Sequence, residues 1–186
     1  TCGAVASMDK VNGKLTVYGT FQAPHVVRTV ASILSGIEEH NIRVVSPDIG
    51  GGFGNKVGVY PGYVCSIVAS IVTGVPVKWI EDRTDNLTAT AFARDYWMKG
   101  RISATKEGKI TSLHCHVTAD HGAFDACADP TKYPAGFMNI CTGSYDIPAA
   151  YLAVDGVYTN KAPGGVAYRC SFRVTEAAYF IERMIE

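Results

Sequence analysis

The chain has no surplus of charge of either sign, because 17 Lys and Arg side chains face 17 Asp and Glu side chains. It therefore lacks the electrostatic footprint expected of a nucleic-acid or anionic-membrane binder. It also has no apolar run of the roughly 18 residues that a membrane-spanning helix needs. The longest candidate, Val64–Val72, is interrupted by Ser66 and Ser70. No pair of its 6 cysteines is spaced CxxC, and their irregular spacing argues against both a disulfide scaffold and a classical zinc site. Reduced thiols in a cytoplasmic setting are the expectation. No internal repeat, low-complexity tract or linker is present, and no Ser-His-Asp set can be assembled.

What is there suits a folded domain: 186 residues, 47% hydrophobic and 18% charged. The chain opens at Thr1, and a helical pattern is still running at Ile185-Glu186 with no stop signal, so we expect a piece truncated at both ends. Lys14–Gly19 alternates like a strand. Pro24 opens a helix in which Val26, Val27, Val30, Ile33, Leu34 and Ile37 mark one face. Arg43–Ser46 is a short β-rich run. Val64, Ile67, Val68, Ile71 and Val72 form a second helical stripe, stopped by Gly74 and Pro76, with Cys65 expected as a small buried hydrophobe.

Val75–Ile80 and Tyr96–Thr105 read as strands, and a turn at Glu107-Gly108 leads to Ile110–Ala119 as a hairpin. After a long irregular connection between Asp120 and Asp146, Tyr151–Thr159 is another strand. A last helix begins near Ser171, a plausible N-cap, and carries Val174, Ala177, Ala178, Ile181 and Ile185. The mixed order of elements favours an α+β fold, with mixed sheets and packed helices, over a doubly wound one.

Three segments carry chemistry. Ala167-Tyr168-Arg169-Cys170-Ser171-Phe172-Arg173 sets one thiol between two arginines, just ahead of a helix start. Guanidinium groups and the positive helix end both favour thiolate, a soft ligand for Cu(I), zinc or iron–sulfur iron. An ordinary loop cysteine is the alternative. Gly50-Gly51-Gly52-Phe53-Gly54-Asn55-Lys56 fits neither GxGxxG nor GxxxxGK. Its glycines permit positive φ and close approach, so its amides can cradle an anion or donate to an oxo group; a sharp strand-to-helix turn is the alternative. Gln22 lies between a strand and a helix, where its amide can donate to a metal oxo group while its carbonyl accepts elsewhere, or where it merely caps the helix.

Other polar clusters read as structural. His114 and His116 share a strand face opposite Cys115, without a third metal ligand at suitable spacing. Asp120-His121-Gly122 suits a turn with a helper hydrogen bond. Asp82-Arg83 and Arg94-Asp95 suit ion pairs around the hairpin.

Val166 through Arg173 resembles the active-site loop of the carbon-monoxide-oxidising, molybdenum- and copper-containing branch of the xanthine dehydrogenase and aldehyde oxidase family of molybdenum hydroxylases. Gly19-Thr20-Phe21-Gln22-Ala23-Pro24-His25 and Asp48-Ile49-Gly50-Gly51-Gly52-Phe53-Gly54-Asn55-Lys56 resemble two further family segments and occur in the same order. The resemblance runs the length of the chain. It implies an internal piece of the large subunit, residues 1–186 forming part of the molybdenum-cofactor-binding domain. It also implies molybdopterin cytosine dinucleotide holding molybdenum, with Cu(I) on Cys170.

The same resemblance gives Gln22 as the donor facing an oxo ligand and Phe53 near the substrate. Gly51, Gly52, Gly54 and Arg169 would lie against the cofactor, and His25 would be structural. The substrate would be carbon monoxide. Electrons would leave through an iron–sulfur small subunit carrying 2Fe-2S and a flavin medium subunit carrying FAD, in the cytoplasm or at the inner face of its membrane. The family's catalytic glutamate lies beyond this piece, so the isolated piece is expected to be inactive. The rival readings are a molybdenum hydroxylase of an aldehyde or N-heterocycle with Cys170 incidental, and a non-enzymatic thiol redox module.

Overall fold

A computed structural model describes residues 1–90, 95–123, 136–162 and 174–186. The chain divides into two compact units, Thr1–Thr90 and Ala91–Glu186. Mixed sheets with packed helices, as expected, make up both.

The first unit is built on a four-stranded sheet ordered β3-β2-β1-β4, where β1 is Gly3–Asp9, β2 Lys14–Gly19, β3 Ile42–Val45 and β4 Val77–Ile80. Strand β1 runs antiparallel to β2 and β4, and β2 runs parallel to β3. Alternation decides which side is buried: Ala4 and Ala6 of β1 and Leu15 and Val17 of β2 face inward. Strand β1 was not legible in the sequence, since glycine and alanine have little strand preference. Pairing on both of its edges holds it extended.

Helix α1 (Pro24–Ser35) and helix α2 (Pro61–Thr73) each begin on proline and end on a left-handed glycine, Gly36 or Gly74. Each glycine N–H returns to the last turn, onto Ser32 or Ser70.

Helix α2 packs on β1 with a face that mixes large apolar and small polar side chains. Tyr63, Ser66, Ile67 and Ser70 are its buried residues. The Ser70 hydroxyl accepts from Met8 N at 2.9 Å and donates to the Val75 carbonyl at 2.9 Å, so its burial leaves no unsatisfied polar atom. Two expectations fail as a result. Cys65 is exposed rather than buried, and Val68 and Val72 of the apolar stripe are exposed too. On α1 likewise, Val27 and Ala31 are buried while Val26, Ile33 and Leu34 are exposed. On neither helix does the buried side coincide with the apolar stripe. Behind them, Tyr63 packs edge-on against Phe21 (4.9 Å) and Trp79 (5.6 Å).

Helix α3 (Arg83–Ala89) was also not anticipated. Asp82 and Asp85 form its capping box, in which Asp82 accepts from Asp85 N at 2.7 Å. The expected Asp82-Arg83 ion pair does not form, because the Asp82 carboxylate is engaged by the helix and Arg83 turns to Asn86 at 2.8 Å.

In the second unit, β5 (Tyr96–Ala104), β6 (Ile110–Asp120) and β7 (Ala150–Val157) form one sheet, antiparallel and then parallel. Gly108, at φ 85°, makes the predicted hairpin turn. Leu113, Cys115 and Val117 of β6 pack with Phe137, Cys141 and the Ala177, Phe180 and Ile181 face of α4 (Val174–Ile185). Gly100 on β5 is what lets α4 lie this close, since a Cβ there would sit 2.5 Å from Met184 Sδ and 2.7 Å from the Phe180 ring.

Candidate functional site

Gln22 follows the end of β2 and precedes the proline that opens α1. Two hydrogen bonds tie it to the glycine turn. Its backbone N–H donates to the Lys56 carbonyl at 2.8 Å, and its Oε1 accepts from Gly54 N at 2.8 Å. A backbone N–H can only donate, so the amide oxygen must be the atom facing the turn and Nε2 is left as the outward donor. No described residue accepts from that Nε2. The neighbouring Phe21 carbonyl accepts from the Ser46 hydroxyl, which anchors the same junction to the end of β3.

The glycine segment is more than a tight link between strand and helix, since β3 ends at Val45 and α2 begins at Pro61. Gly50, Gly51 and Gly54 have φ of 68°, 100° and 92°. Phe53 shares this region at φ 53°, unlike any other non-glycine among the described residues. A bulky residue there is strained, a feature that concentrates at ligand clamps. Its side chain is 60% exposed.

Gly52 is not at positive φ, and its own requirement is space. A Cβ on Gly52 would lie 2.4 Å from Gln22 Oε1, and one on Gly51 would lie 2.7 Å from the Phe53 ring. Gln22, Phe53 and the two glycines are therefore packed too closely to admit an added carbon at Gly51 or Gly52.

Four residues that the sequence reading left without a role complete the assembly. Ser46 bonds Phe21, and Asn55 donates its N–H to the Gly52 carbonyl at 2.9 Å while its own carbonyl accepts from the Tyr60 hydroxyl at 2.5 Å. Lys56 Nζ donates to the Ile49 carbonyl at 2.5 Å. Asn55 and Lys56 carried a signal in the sequence, as the last two residues of the glycine motif. Arg169 and Cys170 lie outside the described residues, as do Ser171 and Arg173.

The remaining candidates prove structural. His114 stacks on Tyr151 with ring centroids 4.8 Å apart, and a ring nitrogen of His116 lies 2.6 Å from Asp155. Among the described residues no three His, Cys, Asp or Glu side chains are grouped to hold a metal ion. Asp120 accepts from Gly122 N at 2.8 Å, the helper bond expected of that turn, and from Thr159. Burial pushes the Asp120 carboxyl up, but Gly122, Thr159 and Lys161 outweigh it and hold the group below the usual carboxylate range. Arg94, the expected partner of Asp95, lies outside the described residues; Asp95 pairs with Lys161. Burial, with Cys141 alongside, pushes the Cys115 thiol up to about 12, and burial also raises Cys141 and Cys2. These three are protonated packing residues, unsuited to bind a soft metal.

The glycine turn combines glycines at positive φ, an outward amide donor on Gln22 and no room for a Cβ at Gly51 or Gly52. That is the form expected of a site for an anionic or oxo-bearing group, and molybdopterin fits it. Comparison with known proteins agrees. The molybdopterin cofactor-binding domain matches residues 1–186. The chain is 74% identical over all 186 residues to the carbon monoxide dehydrogenase large chain of Afipia carboxidovorans and 72% identical to that of Hydrogenophaga pseudoflava, spanning 23% of the length of each. A crystal structure of Cu,Mo-CO dehydrogenase in its carbon monoxide reduced state matches 99% of this chain and 23% of its own, at 73% identity and a TM-score of 0.93.

Proposed function

This chain belongs to the molybdopterin cofactor-binding domain family, and on that premise we propose that it is an internal segment of the large subunit of a carbon-monoxide-oxidising molybdenum hydroxylase. The observation that carries this reading is the identity it shares, across every residue, with carbon monoxide dehydrogenase large chains. The net reaction takes carbon monoxide and water to carbon dioxide, two protons and two electrons. The cofactor is molybdopterin cytosine dinucleotide bearing molybdenum, which supplies oxygen and accepts two electrons, with Cu(I) as the soft site for a neutral diatomic.

Within this scheme Gly51 and Gly52 bring backbone against the cofactor, and Gly54, whose N–H is given to Gln22 Oε1, serves the cofactor site by holding that glutamine. Gln22 presents Nε2 to the oxo side, its orientation fixed by Gly54. A preorganised donor of this kind acts as negative charge develops on the oxygen it faces. Phe53 lines the substrate position. Cys170 ligates copper, and Arg169 and Arg173 offset anionic charge around it. An iron–sulfur small subunit with 2Fe-2S and a flavin medium subunit with FAD carry the electrons away, in the cytoplasm or at the inner face of its membrane. No described helix is long and apolar enough to cross a membrane. The remainder of the large subunit supplies the general base, so residues 1–186 alone should be inactive.

Metal analysis of the full-length complex tests the proposal. About one molybdenum and one copper per large subunit, with carbon monoxide oxidation, is the expected result. Molybdenum without copper would favour a hydroxylase of an aldehyde or N-heterocycle. Neither metal would leave a thiol redox module.

A further inference from the structure

We propose that Lys56 is a positioning residue of this site, clamping the glycine turn with its ammonium group while its carbonyl holds Gln22. This rests on the molybdenum reading above. The clamp works at two points. Nζ donates to the carbonyl of Ile49, the residue just before the glycine run, so one side chain closes the turn on itself. The Lys56 carbonyl accepts from Gln22 N, so the same residue also fixes the backbone of the outward donor. Gln22 Oε1 then returns to Gly54 inside the closed turn, which completes a ring of contacts through Lys56, Gln22 and Gly54.

A clamp is needed because the turn is costly by itself. Its glycines lose much conformational freedom on ordering, and Phe53 is strained at positive φ. The turn also lies between β3 and α2 without a strand partner of its own.

The chemistry suits the position. Lys56 is half-buried, and no Asp or Glu lies within ion-pair distance of it among the described residues. Its charge is therefore uncompensated by a carboxylate at the base of a turn that would receive an anionic cofactor. Lys56 Nζ has donors besides the one given to Ile49, and its charge favours an anion nearby.

The test uses the full-length holoenzyme with Lys56→Met, which keeps the aliphatic stem, and Lys56→Arg, which keeps charge and donor. In Lys56→Met we expect kcat to fall about 10- to 100-fold, the scale for removing an outer-shell partner of a metal site. KM for carbon monoxide should stay unchanged, since Lys56 does not touch the substrate. The Mo(V) electron paramagnetic resonance signal should become heterogeneous as the turn that carries Gln22's two partners, the Lys56 carbonyl and Gly54 N, loosens. Lys56→Arg should restore a single Mo(V) signal and most of kcat.

A Lys56→Met enzyme with wild-type signal and kcat would overturn the proposal. So would a Lys56→Arg enzyme as impaired as the methionine variant, because packing rather than the ammonium would then matter; that arm decides even if Lys56→Met does not accumulate. A wild-type enzyme without molybdenum would instead remove the reading on which the inference rests.

Discussion

Gly54 donates its backbone N–H to Gln22 Oε1 at 2.8 Å, and that bond settles which end of the glutamine amide faces outward. Because the acceptor is held from inside the turn, the donor is presented without a further partner among the described residues. Gln22 and Gly54 are 32 residues apart in sequence, so the pairing is a product of the fold.

Replacing Gln22 separates the two ends of the amide. Gln22→Glu keeps an acceptor for Gly54 and removes the outward donor, so both metals should load while the rate falls roughly 10²-fold, the scale for losing one preorganised donor. Gln22→Ala loses the acceptor as well, although water can replace the donor in part. Its rate should fall less than in Gln22→Glu, with some loss of molybdenum as Gly54 is released. Metal content and single-turnover rates check this. Wild-type rates in both variants would reduce Gln22 to a helix-flanking residue.

Gly52 should tolerate no side chain. Even Gly52→Ala would set a Cβ 2.4 Å from Gln22 Oε1 and displace the glutamine. We expect lower molybdenum content and activity in Gly52→Ala and a larger loss in Gly52→Val. Gly50→Ala makes a useful contrast, as a Cβ there meets nothing within 4 Å although its φ of 68° still imposes strain. Equal molybdenum loading in the Gly52 variants and wild type would show that the cradle is not used.

Cys170→Ser in the intact enzyme should abolish copper binding and carbon monoxide oxidation and leave molybdenum in place, since a harder oxygen ligand matches Cu(I) poorly. Copper retained at wild-type stoichiometry with near-normal turnover would rule out the assignment.

Glu81 governs acid stability of the first unit. Burial pushes its carboxyl up, but the Thr90 hydroxyl, Cys2 N and Asn86 amide, each donating at 2.8 Å, outweigh it and hold the group below its usual range. A carboxyl depressed in the folded state contributes stability that is present above its unfolded value and lost as pH falls through its folded value. Thermal unfolding followed from neutral pH into the acid range should therefore show a decline in wild type. Glu81→Gln should be less stable at neutral pH by about 1–3 kcal/mol, because it leaves buried donors facing an amide. It should also lose part of that acid dependence. Parallel pH profiles for the two proteins would exclude this role.

Local periodicity and punctuation made much of the fold legible. β2 and β6 alternate, α1 and α2 begin at proline and end at glycine, and Gly108 marks the hairpin turn. These features are encoded within a few residues. The rotation of α2 was not legible, because it depends on another element: Ser70 is buried where its hydroxyl accepts from Met8 N of β1. The same reason hid β1, whose alanines and glycine favour no strand until two neighbours pair with it.

The site divides along the same line. By itself the sequence determined the residue types available: glycines that permit positive φ, a glutamine at a strand-to-helix junction, and a thiol flanked by two arginines at Cys170. Residue types and short-range spacing suffice for that, since they set donor, acceptor and conformational capacity. Only the tertiary structure decided that the Gln22 oxygen belongs to Gly54, that Gly52 is required for space rather than for φ, and that Lys56 joins both ends of the turn. Each of these is a contact between atoms that the chain brings together only on folding, and no local propensity encodes a distance of 2.8 Å between Gln22 and Gly54 in separate segments.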